Sequence, residues 1–189
     1  MTIDPHNITD FNRNNSKLEE FLLFCVVVAG KKSSIQAVKL QQFLDANTHE
    51  PFSFIRCLNV CGTLRDRIEQ VKLGQYERLV ECFKTLAYSN HDLRTVTVEQ
   101  LESIPGIGPK TARFFVMHTR RNQPYACLDT HVLKWLKAQG VENVPKNTPS
   151  GKNYLRLEKE YLRLCAEKGM DPAGLDLLVW STSVKKEAA

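Results

Sequence analysis

No apolar stretch in this sequence approaches the roughly 20 residues that a bilayer-spanning helix needs; the longest, Phe21 to Ala29, falls well short. Nor does the polar N-terminus, with Asp4 in its first residues, have the basic-then-apolar build of a secretory signal. The expectation is a cytoplasmic or nucleoid-associated chain without a membrane segment. Six cysteines are present but no C-x-x-C pair, which argues against both a disulfide scaffold and a zinc knuckle. Cys57 and Cys61 come nearest to a metal spacing, but no second Cys or His cluster completes a site, so no metal is expected and the thiols read as reduced and mostly buried. Charge of one sign is also in short supply: 26 Lys+Arg against 21 Asp+Glu leaves +5, which suits a nucleic-acid partner without demanding one. Strand-like alternation and internal repeats are absent as well.

What remains is helical periodicity. At 42% hydrophobic over 189 residues the chain can bury one sizeable core. Ser16 with Glu19 and Glu20 reads as the start of a helix that runs, apolar nearly all round, to Gly30. Ile35, Val38, Leu40 and Phe43 mark a second helix, and Pro51 to Cys61 a third. Leu79, Val80, Phe83, Leu86 and Ala87 fall on one face of a fourth. Asp129-Thr130 caps a helix that Gly140 closes, residues 144–153 read as a loop, and an amphipathic helix over 154–169 precedes a last one from Pro172 to Ser183 with a fraying charged tail.

The most informative segment is Leu101-Glu-Ser-Ile-Pro-Gly-Ile-Gly-Pro-Lys-Thr-Ala112, between two helical patterns. Gly106 and Gly108, flanking Ile107, let backbone amides approach a phosphate closely at the positive end of a helix. Such a hairpin grips a DNA backbone without reading sequence. The alternative is an ordinary helical corner with glycines chosen for tightness.

A second element, Tyr125-Ala-Cys-Leu-Asp-Thr-His-Val132, sharpens the reading, with Asp129 following Lys110 by 129 − 110 = 19 residues. Together the two elements resemble the helix-hairpin-helix DNA glycosylase superfamily, which includes endonuclease III and the 8-oxoguanine glycosylases. The resemblance is strongest over 99–136 and extends weakly over most of the chain. It implies an all-α, two-lobed bundle in a single domain, 1–189, with the active site in the cleft. One lobe would hold about 30–135, including the hairpin, and the other about 1–29 plus 136–189.

The resemblance also implies roles. Lys110 matches the lysine of the bifunctional members, whose amine attacks C1′ of the target nucleotide, and Asp129 the aspartate that assists it. Apolar walls are expected to lower the pKa of that amine so that a neutral nucleophile is available. A water mechanism run by Asp129 alone, with Lys110 as a phosphate contact, stays open, and Asp129 also reads as an N-cap. His131 is assigned to loop support through hydrogen bonds, and Cys127 to packing.

Trp180 and Asp176 are similar to an aromatic and acidic pair at the pocket of the small 8-oxoguanine glycosylases of archaea and some bacteria; the competing reading is a core tryptophan beside a pairing aspartate. Lys31, Lys32 and Gln36, in the loop after the first helix, are candidates for phosphate contacts and for filling the gap left by a flipped nucleotide. Only Cys165 follows Cys127, so the terminal iron–sulfur cluster of endonuclease III lacks its ligands. No cofactor is expected, and a monovalent cation at the hairpin is left open. The chain also departs from the class that ends in a lysine beyond the aromatic residue, since Lys185 and Lys186 are followed by three more residues. The expected partner is double-stranded DNA with a damaged base, bound by a monomer. The expected activity is glycosylase with AP lyase, 8-oxoguanine preferred. The alternatives are an endonuclease III-like enzyme for oxidised pyrimidines and a non-catalytic module for distorted or abasic DNA.

Overall fold

A computed structural model describes residues 3–44 and 50–187, which form ten helices and, among the described residues, no strand. They are α1 (Asn15–Val27), α2 (Ser33–Leu44), α3 (Pro51–Val60), α4 (Leu64–Gln70), α5 (Tyr76–Tyr88), α6 (Val98–Glu102), α7 (Pro109–Thr119), α8 (Thr130–Ala138), α9 (Gly151–Glu167) and α10 (Pro172–Glu187). None of them is long and apolar enough to cross a membrane.

The all-round apolar character of α1 has a simple cause: Phe21 to Val27 are all buried, with α2, α3, α5 and α7 packed around them. Its N-cap is Asn14, whose side chain accepts from the Lys17 amide, and not Ser16, which lies inside the first turn. The buried face of α2 is also displaced from the expected one. Gln36, Ala37, Leu40 and Phe43 face the core, while Ile35 and Val38 are about half exposed. The short α4, unassigned from the sequence, buries Leu64 and Ile68 one turn apart.

Two hydrophobic clusters result. The first gathers α1 to α7, together with Cys127 and Ala173, around Phe21, Phe43, Phe83 and Phe115. The second joins α8, α9 and α10 through Leu133, Leu136, Tyr154, Tyr161, Leu175 and Val179. In these clusters α1, expected to group with the end of the chain, packs with the middle helices. The segment before it reaches α10, where His6 packs edge-on against Trp180 at 4.9 Å. Two boundaries also move. α9 begins at Gly151, within the expected loop, and α10 continues through Glu187, so the tail expected to fray is helical as far as it is described; Ala188 and Ala189 lie outside the described residues.

Candidate active site

The hairpin between α6 and α7 is fixed from both sides. A capping box starts α6, Thr97 accepting from the Gln100 amide while the Gln100 side chain accepts from the Thr97 amide. Ile104 and Ile107 turn into the core, and Pro109 opens α7 at a position where no amide is needed. Arg78 on α5 donates to the Gly106 carbonyl at 2.8 Å and to the Val26 carbonyl at 2.9 Å, tying the turn to the end of α1.

The two glycines differ in what they answer to. Gly106 has φ +88°, and a Cβ there would meet Arg78 Cγ at 3.0 Å and Cys82 Cβ at 3.3 Å, so the fold itself requires glycine. Gly108 is extended (φ −100°, ψ 177°), a conformation open to any residue, and a Cβ on it would meet nothing within 4 Å. Its openness matters only to something that approaches from outside. Gly106→Ala is therefore expected to cost about 1–2 kcal/mol in a denaturation experiment. Gly108→Ala should melt like the parent and yet bind duplex about tenfold more weakly, the scale of one lost backbone–phosphate hydrogen bond. Unchanged binding by Gly108→Ala would remove the hairpin from the interface.

Lys110 stands in the first turn of α7, half-buried, its Nζ 5.0 Å from the centre of the Phe114 ring one turn on. Asp129 is the N-cap of α8. Its Oδ1 accepts from the amides of His131 (2.8 Å) and Val132 (2.9 Å), and Oδ2 accepts no hydrogen bond among the described residues. The capping and chemical readings of Asp129 are thus compatible, because they use different oxygens. Asp176, buried on α10, faces the same charges, and its Oδ2 lies 3.1 Å from His118 Nε2 at the far end of α7. Thr9 Oγ1 meets the other ring nitrogen, Nδ1, at 2.7 Å.

The electrostatics reverse one expectation. Burial disfavours the Lys110 ammonium, but Cys127, Asp129, Cys25 and Asp176 favour it, and the balance holds the amine above the ordinary lysine value. Burial in turn pushes both thiols up. Apolar walls are present, and the acidic groups around the amine outweigh them. Asp129 itself is pushed up, by burial first and then by Asp176, against the opposing pull of Lys110. A carboxylate raised in this way is a stronger base for a lysine proton than a solvated one.

The loop that presents Asp129 is held from α9. Tyr154 donates to the Ala126 carbonyl at 2.6 Å and accepts from the Leu128 amide, and Thr148 donates to the Leu128 carbonyl. Glu158 Oε1 accepts from the Ala126 amide (2.9 Å) and from Arg113 Nε on α7 (2.8 Å), both side chains being nearly sealed from solvent. Arg113 also reaches Glu102 and lies over the Tyr154 ring at 4.5 Å. One buried ion pair thus fixes the helix carrying Lys110 against the loop carrying Asp129. Glu158→Ala is expected to cost about 3 kcal/mol in chemical denaturation, because it leaves the Arg113 Nε and the Ala126 amide buried without an acceptor. Glu158→Gln should cost less, and equal losses would mean that the charge pairing contributes nothing.

The remaining sequence candidates divide. Lys32 is exposed, but the Lys31 ammonium donates to the Leu73 carbonyl, and Gln36 is 4% exposed within α2 and not in a loop. Trp180 is half-buried one turn after Asp176, against His6, and is no part of either core cluster. His131 Nδ1 is buried without a hydrogen-bond partner, so the loop support expected of its ring is not made through that atom; Tyr154 and Glu158 hold the loop instead. His118, Phe114, Thr9, Arg113 and Glu158 were not picked out from the sequence. The spacing Lys110, Phe114, His118 at i, i+4, i+8 on one helix was the available signal. Cys25, Cys82, Cys127 and Cys165 are buried free thiols, and no group of three or more metal-binding side chains occurs among the described residues.

Comparison with known proteins identifies the family and the fold. A family model described as 8-oxoguanine DNA glycosylase, of helix-hairpin-helix type, matches residues 4–170. The 8-oxoguanine DNA glycosylase/AP lyases of Thermoplasma volcanium and Thermoplasma acidophilum are 38% and 40% identical over 80 residues. That stretch is 42% of this chain and only 37% of the length of each relative. The 8-oxoguanine DNA glycosylase of Methanocaldococcus jannaschii superposes with a TM-score of 0.67 at 20% identity, covering 94% of this chain and 83% of that one. The same enzyme in complex with 15mer DNA containing 8-oxoguanine gives 0.66 at 20% identity, with 92% and 84% covered. At that identity the structural likeness establishes the fold.

Proposed function

Because the chain belongs to the 8-oxoguanine DNA glycosylase family, as the match over residues 4–170 shows, we infer that it excises 8-oxoguanine from double-stranded DNA and nicks the strand through a Schiff base on Lys110. The observation that carries this reading is the placement of Lys110 directly after the hairpin, within the field of Asp129, whose Oδ2 is uncommitted. The hairpin amides of Gly106 and Gly108, which donate to no acceptor among the described residues, would hold a backbone phosphate. Ile107 anchors the turn between them, and Lys32 adds a surface cation.

In this mechanism Asp129 takes a proton from the Lys110 ammonium, and the free amine bonds to C1′ as the bond from C1′ to the base nitrogen breaks. The base leaves with the proton that Asp129 has taken, and the restored Asp129 carboxylate, with Asp176 nearby, stabilises the positive charge left on the sugar. Transfer of a proton from the new C1′ nitrogen to the ring oxygen opens the sugar, leaving a C4′ hydroxyl and an iminium. Removal of a C2′ proton then expels the 3′ phosphate by β-elimination, and water returns the amine. Since Lys110 rests as an ammonium, its deprotonation is part of the reaction and not a preliminary.

A flipped base requires a stacking surface and polar groups at its edge. Asp176 offers the polar group, and Trp180 on the same face of α10 the surface, with Phe114 beside the amine. A monovalent cation seated on hairpin carbonyls other than that of Gly106, which Arg78 already holds, belongs to the same proposal, as does binding by a monomer. The test is borohydride trapping on duplexes carrying 8-oxoguanine, thymine glycol, uracil or an abasic site. A strong adduct with 8-oxoguanine is expected. Preferential trapping of thymine glycol would move the substrate to oxidised pyrimidines, base release without any adduct would replace the amine by water, and neither release nor adduct would leave a binding module.

A further inference from the structure

At the opposite end of α7 from Lys110, about 16 Å away along an 11-residue helix, lies a cavity of about 230 Å³. Four arginines line it, Arg13, Arg94, Arg120 and Arg121, together with Asn12, Thr119 and an apolar wall of Phe11, Leu18 and Leu93. None of the four has a carboxylate partner within 4.0 Å among the described residues. The nearby acids act on two of them from beyond ion-pair distance, Asp10 on Arg13 and Asp92 on Arg120, while Asp10 accepts from the Asn12 amide and Asp92 from the Arg94 amide and the Thr95 hydroxyl.

Part of this concentration of charge is structural. Arg13 donates to the carbonyls of Ile8, Asp10 and His118, closing the C-terminal end of α7, where a cation is favourable. The other three are not used up in that way. Arg120 makes one bond, to the Leu93 carbonyl, and its Nε is buried with no partner. Arg94 makes one side-chain bond, from Nε to Asn15, and Arg121 makes none, its guanidinium lying over the Phe11 ring at 4.9 Å. A buried, unpaired guanidinium donor beside two more with open donors is costly unless an anion answers it.

We propose that this cavity is a phosphate-binding site, separate from the Lys110 centre, in which Arg94, Arg120 and Arg121 converge on one phosphate group. Guanidinium forks match phosphate oxygens, and the cavity, open on one side, has room for a compact anion. The phosphate comes either from a backbone that continues around the protein from the hairpin or from a free phosphate compound whose apolar part meets Phe11 and Leu93.

The full-length chain would be titrated with inorganic phosphate by calorimetry, at constant ionic strength set with chloride. Binding is expected in the parent and in Lys110→Ala and Gly108→Ala, and should weaken at least about tenfold in Arg94→Gln/Arg121→Gln, the scale of a lost charge-assisted hydrogen bond. That double variant removes exposed side chains outside the core, and circular dichroism would confirm its fold. A second arm measures duplex affinity against salt. A slope shallower by about 1 in the double variant assigns the site to backbone phosphate, and an unchanged slope with phosphate binding lost assigns it to a free phosphate compound. No phosphate binding by the parent, or equal binding by the double variant, overturns the proposal. Loss of binding in Lys110→Ala alone also overturns it, by placing the anion at the other centre.

Discussion

Lys110→Ala is expected to yield no borohydride-trapped adduct on any lesion and to lower 8-oxoguanine excision by roughly 10⁴ to 10⁶-fold, the span seen when one member of a nucleophile–base unit is removed from a covalent enzyme. The fold should survive. Lys110 is half-buried at the second position of α7, makes no hydrogen bond among the described residues, and alanine is the best helix former. Its ammonium does oppose the upward push on the Asp129 carboxyl, so its removal leaves Asp129 more readily protonated. Single-turnover excision is therefore the decisive readout, with melting as the control. Base release at near-parental rate without an adduct would mean that Asp129 activates water and that Lys110 serves only as a cation beside the hairpin. Lost release with unchanged duplex affinity would instead confirm that the amine acts on the sugar and not on the phosphate.

How much of this was legible in the sequence depends on what kind of signal each feature leaves. The hairpin was legible because its chemistry is local: a Pro-Gly-Ile-Gly-Pro run has few alternatives, and Lys110 follows from it by register. Asp129 was legible because an aspartate before an amphipathic run caps a helix whatever else it does. The position of α1 was not, since an all-round apolar helix says that it is buried but not among which neighbours. Gln36 was misplaced because two exposed residues, Ile35 and Val38, advertise the wrong face of α2. The partnership of Arg113 with Glu158, 45 residues apart, and of His118 with Thr9 and Asp176, leaves no periodic trace at all. The raised pKa of Lys110 belongs to the same class, because burial alone would lower it and the groups that reverse the sign, Cys127, Asp129, Cys25 and Asp176, come from three other parts of the chain.

Asp129→Asn separates two things that one side chain does. Asparagine keeps an oxygen for the His131 and Val132 amides and is as good an N-cap as aspartate, so stability should change by less than about 0.5 kcal/mol. Excision should fall by about 10² to 10⁴-fold, the usual contribution of a positioned base. The loss has an opposing component, because Asp129 is also one of the charges that keep Lys110 protonated. Removing it lowers the lysine pKa, so the residual rate of Asp129→Asn should reach its alkaline plateau at a lower pH than the parent. Asp176→Asn makes the comparison complete: it removes a carboxylate that also holds the Lys110 proton, but its Oδ2 is bound to His118 and it is not the proton acceptor in the proposed mechanism. It should shift the alkaline limb in the same direction while leaving much of the plateau rate. If the two variants lose the same rate with the same shift, the carboxylates act together as a counter-charge and Asp129 is not the base.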